Sequence, residues 1–128
     1  MNRNKLCKIL HLHVKYYQKS YLKILREDVS SKNRDDWENW IKDVSKNFKK
    51  TQKVLEYIRK GYDYDYIYNP QRTNFLTKPA SITIKTIGRN TWKHMNSYEF
   101  EIEIPEQQLK VYESQLVRES KLERILNE

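Results

Sequence analysis

Two groups of residues in this chain have the types and spacing to do chemistry. The first is Arg89-Asn90-Thr91-Trp92-Lys93-His94-Met95-Asn96, with Arg72 and Lys78 earlier in the chain. His94 is suited to acid/base work on a phosphodiester, and Arg89 and Lys93 to stabilising phosphorane charge, as in a small basic ribonuclease. That chemistry needs a second acid/base group, and the sequence names none. The cluster reads better as a contact patch, because Trp and Arg anchor interfaces and Trp92 can stack on a base.

The second group is a set of periodic lysines. Lys42, Lys46, Lys49, Lys53 and Lys60 follow steps of four, three, four and seven. On a helix they fall within about 60° of one another, opposite Trp37 and Trp40. Lys5, Lys8, Lys15, Lys19, Lys23 and Arg26 form a similar ridge opposite a leucine-rich stripe. Such ridges can neutralise phosphates and release counterions. The competing reading is a solvated helix face in a lysine-rich chain, with Glu38 and Glu56 diluting the second ridge. The charge is segregated, which favours a contact role. Residues 1–61 hold 16 of the 25 basic and 7 of the 17 acidic residues, and the chain carries a net charge of +8.

Other chemistries lack their residues. Cys7 and His11 are one turn apart, but no second Cys/His pair completes a metal site, so Cys7 reads as a buried thiol. His11 and His13 are about 200° apart on a helix and cannot share a metal there. Gly61 and Gly88 are the two glycines and neither sits in a phosphate-binding loop. No cofactor or metal is expected. No run of eighteen apolar residues occurs, and nothing asks for an oxidising compartment, so the expectation is a soluble cytoplasmic protein.

The elements that must position these residues follow from periodicity. Leu6, Ile9, Leu10, Val14, Tyr17, Tyr21, Ile24 and Leu25 predict an amphipathic helix over 5–27. A turn follows at 28–33. A second helix runs from Arg34 towards Gly61 with Trp37, Trp40, Ile41, Val44, Phe48, Thr51, Leu55 and Ile58 on its stripe. The two helices should form an antiparallel hairpin, each burying its stripe. The period then becomes two. Tyr62, Tyr64, Tyr66 and Tyr68 alternate with Asp63 and Asp65, predicting a strand whose aromatic face packs on the helices. Residues 69–80 read as a long loop that Phe75-Leu76 pin to the core. Strands at 81–87 and 98–104 should pair as a hairpin across 88–96, and Pro105 opens a helix over 106–126.

The expected fold is a single α+β domain: a basic helical hairpin (1–61), a three-stranded, mostly antiparallel sheet (62–104) and a closing helix (105–128). The expected function is non-enzymatic binding of DNA or RNA through its phosphates. Lys15, Lys19, Lys23, Lys42, Lys46, Lys49 and Lys53 would form the ridges, with Arg89, Trp92 and Lys93 as a second contact. The alternative is a module, of the kind small viral and mobile-element proteins provide, that binds or inhibits a nucleic-acid-handling complex. It would use the acidic strand face (Glu99, Glu101, Glu103) or the end of the last helix. There Leu122, Ile125 and Leu126 lie about 100° around the axis from Leu109, Tyr112 and Leu116, a split that also suits a homodimer.

Overall fold

The computed structural model describes residues 2–26, 34–71, 78–90 and 95–127, with side chains at all of these positions except 34, 89–90 and 95–99. Helix α1 spans Arg3–Arg26 and α2 Arg34–Arg59. Asn2 caps α1. Its Oδ1 accepts from the Lys5 N–H at 2.8 Å and its carbonyl from the Leu6 N–H at 3.0 Å, so the helix starts two residues before its expected onset. At the end of α2 the Tyr62 N–H donates to the Tyr57 carbonyl and the Gly61 N–H to the Ile58 carbonyl, both at 3.1 Å. This is a Schellman cap, and Gly61 supplies its left-handed residue at φ 98°.

The helices are antiparallel. Arg3, at the start of α1, donates to the carbonyls of Ile58 (2.7 Å) and Tyr62 (2.9 Å) at the end of α2. Trp37, at the start of α2, donates from Nε1 to the Ile24 carbonyl near the end of α1 (3.3 Å).

Strands β1 (Asp63–Asn69), β2 (Ser81–Asn90) and β3 (Met95–Pro105) form an antiparallel sheet in the order β1-β2-β3, and α3 spans Glu106–Asn127. The architecture is α+β, as expected. The hairpin strands reach Asn90 and Met95, beyond their expected ends at 87 and 98. In register, Tyr66, Ile84 and Ile102 stand side by side, as do Tyr68, Ile82 and Ile104. This face carries the core. Ile82, Ile84, Ile102 and Ile104 pack with Leu6, Ile9 and Leu10 of α1, Val54, Leu55 and Ile58 of α2, and Leu109 and Tyr112 of α3. Tyr64 and Tyr66 are packed against that cluster as expected, but Tyr68, on the same face, is exposed, so the aromatic face is covered only in part.

The β2–β3 register shifts between Lys85 and Ile87. Thr86 closes the irregularity with its hydroxyl, which accepts from the Phe100 N–H at 3.1 Å and lies 3.4 Å from the Phe100 carbonyl. Beyond it Tyr98 stands opposite Ile87, out of step with Phe100, Ile102 and Ile104. Simple alternation through 98–104 therefore fails at its first residue, because a bulge inserts one extra position.

A second correction concerns the helical stripes. Trp40 is 47% exposed, and Tyr21 and Leu25 are also exposed. Trp40 continues the line of Thr51, Val54 and Ile58, but the packing that buries those three does not extend to it. Cys7 is half-buried, against the expected buried thiol.

Candidate nucleic-acid interface

Packing on the sheet fixes the rotation of α1 and α2 about their axes, and that rotation decides where the lysines stand. Lys5, Lys8, Lys15, Lys19 and Lys23 on α1, and Lys42, Lys46, Lys49, Lys53 and Lys60 on α2, are all exposed. The α2 ridge borders a groove against α1, whereas Lys8 and Lys15 of the α1 ridge border a different one, against α3. Between the helices lies a cavity of about 780 Å³ whose walls include His11 and Val14 from α1 and Lys49, Lys53, Arg59 and Lys60 from α2.

Among the described residues one carboxylate, Glu56, lines this groove. Its Oε1 lies 3.0 Å from Lys60 Nζ and its Oε2 3.7 Å from Lys53 Nζ. The hydrogen bond and charge of Lys60, with the charge of Lys53, hold the Glu56 carboxyl below the usual carboxylate range and raise the Lys60 ammonium. Exposed pairs of this kind contribute little to stability and exchange readily for another anion. Lys49 and Arg59 have no carboxylate within 4 Å among the described residues. The groove therefore keeps a net positive charge.

A second groove, about 360 Å³, separates α1 from α3. Lys8, Lys15 and Arg59 line one side and Glu119 and Glu123 the other, so two carboxylates offset most of its positive charge. Arg59 and His11 line both grooves. Spacing along one helix does not find either residue: Arg59 falls about 100° from the lysine ridge, and His11 is across the interhelical boundary. The packing of α1 beside α2 brings His11 to the α2 lysines, and Arg59, at the edge of the α2 ridge, to Lys8 and Lys15 of α1.

The sheet face turned away from the helices is polar and internally paired. Asn69 Nδ2 donates to Thr83 Oγ1 (2.7 Å) and Ser81 Oγ donates to Glu103 Oε1 (2.6 Å). Lys78 Nζ lies 3.2 Å from Glu103, and Lys85 Nζ 3.8 Å from Glu101. The Ser81 hydroxyl, then Lys78, lower the Glu103 carboxyl. Glu101 and Glu103 thus have basic neighbours of their own on this face.

The remaining expected site residues separate into two sets. Leu122, Ile125 and Leu126 on α3 are 56%, 69% and 74% exposed. Arg89 stands opposite Asn96 and Glu99 lies on β3, their side chains outside the described residues. Arg72, Trp92, Lys93 and His94 also lie outside them. Among the described residues no cluster of three His, Cys, Asp or Glu could hold a metal ion, and no helix is long and apolar enough to cross a membrane.

This fold and groove define a two-layer α+β protein with a basic helical layer. Comparison with known protein families, with characterised protein sequences and with solved structures gives no match.

Proposed function

We propose that this chain is a non-enzymatic nucleic-acid-binding protein whose α1–α2 groove engages the phosphate backbone. The observation that carries the proposal is the convergence of Lys49, Lys53, Arg59 and Lys60 on one groove with a single carboxylate, Glu56, among its described lining residues. Neutralising about four phosphates releases their counterions, so affinity falls steeply with salt while sequence preference stays weak. Lys15, Lys19 and Lys23 extend the positive field along α1, and Lys42 and Lys46 extend it along α2. The polar outer face of the sheet, with Asp63, Asp65, Glu101 and Glu103, lies on the other side of the molecule and orients the encounter.

The test is fluorescence anisotropy of labelled DNA and RNA at about 50 and 200 mM salt. Four phosphate contacts weaken binding roughly 50- to 150-fold over that range. Absence of binding at the lower salt contradicts the proposal.

A second reading, a protein partner, is favoured by the exposed Leu122, Ile125 and Leu126. Under it, light scattering or a nuclease-treated pull-down reports a complex that survives removal of nucleic acid and is lost in Ile125→Glu.

A further inference from the structure

The interhelical groove changes character along its length. At its basic end it is lined by Lys53, Arg59 and Lys60, whereas between Gln18 and Tyr21 of α1 and Ser45 and Phe48 of α2 it narrows to about 170 Å³ with almost wholly apolar walls. Lys49 lines both compartments. Tyr21 is exposed and Phe48 half-buried, so two aromatic side chains flank a small apolar cleft directly beside a row of cations.

We propose that this cleft takes an unpaired nucleobase, so that the groove selects single-stranded over duplex nucleic acid. The inference rests on the phosphate-binding role proposed above and names its substrate class. A base in a duplex has both faces covered by its neighbours and cannot enter a cleft, whereas a single strand offers each base to aromatic side chains. The cleft is below the ~300–1,000 Å³ typical of pockets for drug-sized ligands, and a single planar ring system is the matching occupant. Lys53 and Lys60 follow Lys49 by about 6 and 17 Å along α2, a run suited to the phosphates of a few nucleotides on one side of the inserted base.

The test uses the full chain and four labelled probes of about 15 nucleotides: single-stranded DNA, single-stranded RNA, a duplex of the same sequence, and a strand carrying abasic sites. At low salt the expected result is binding of at least one intact single strand about tenfold or more tighter than the duplex and the abasic strand. DNA and RNA arms that differ identify the sugar preference and support the proposal equally. Tyr21→Ala brings the intact strand down to the abasic level without changing the salt slope. If that variant unfolds, the comparison of intact and abasic strands on the unaltered protein still decides. Duplex or abasic strand bound as tightly as the intact strand, with the salt dependence retained, overturns the base cleft and leaves the phosphate reading standing. No binding of any probe overturns both.

Discussion

His13 Nδ1 of α1 lies 2.7 Å from the Tyr112 hydroxyl of α3, and this is a buried polar contact joining the first and last helices. His13 is 1% exposed, its ring is edge-on to Tyr17 at 4.6 Å, and its Nε2 has no hydrogen-bond partner among the described residues. Burial drives the imidazole from its ordinary value of 6.5 to about 4 and pushes the Tyr112 phenol upward. The folded protein therefore holds His13 neutral. Because the unfolded chain binds the proton more tightly, the stability due to this group is complete above pH 6.5 and is lost as pH falls through 4. The shift corresponds to about 3 kcal/mol. Urea denaturation of wild type and His13→Met at pH 7 and pH 4 should show the wild type losing more, by most of that amount. Equal losses would place the imidazole in contact with water.

Thr86 is the second polar side chain on which packing depends. Its hydroxyl accepts the Phe100 N–H where the β2–β3 ladder slips by one residue. Thr86→Val keeps the shape and removes the acceptor, so an amide at a bulge loses its partner. The expected cost is about 1–2 kcal/mol, read as a lower urea midpoint with unchanged slope. A neutral substitution would show that water takes over the amide.

Gly61 ends α2 at φ 98°, and a Cβ at this position would meet no atom of the described residues within 4 Å, so the cost of Gly61→Ala comes from backbone conformation rather than from a clash. About 1 kcal/mol is expected from an alanine forced into the left-handed region. Gly61→Asn, which tolerates that region better, should recover part of the loss in the same denaturation series.

Much of this fold is legible in the residues themselves. The Leu6–Ile9–Leu10 and Thr51–Leu55–Ile58 spacings locate the helices, Gly61 marks the end of α2, and the Tyr64–Tyr66 alternation places a strand against them, whereas the Asn2 cap lies ahead of the apolar period that locates α1. The bulge at Thr86 is not legible, because the sequence keeps alternating through Tyr98 and Phe100 while the ladder slips beneath it. Nor is the exposure of Trp40, since periodicity reports a face without reporting where its cover ends. The candidate site divides in the same way. Lysine spacing identifies each ridge, but which of these lysines border a groove depends on the relative rotation of α1 and α2, which tertiary packing sets. His11 enters the α2 lysine groove through that rotation alone.

The central claim is that cations of the α1–α2 groove hold phosphates, and the salt slope measures it most directly. With about four contacts, a plot of log affinity against log salt for a labelled single strand should have a slope near −3. Lys49→Glu with Arg59→Glu removes two contacts at positions that have no carboxylate neighbour among the described residues, and should roughly halve that slope. Lys121→Glu, on α3 and outside both grooves, reverses one charge and should leave the slope unchanged. If the double variant binds with wild-type affinity and slope, the groove does not hold the phosphates.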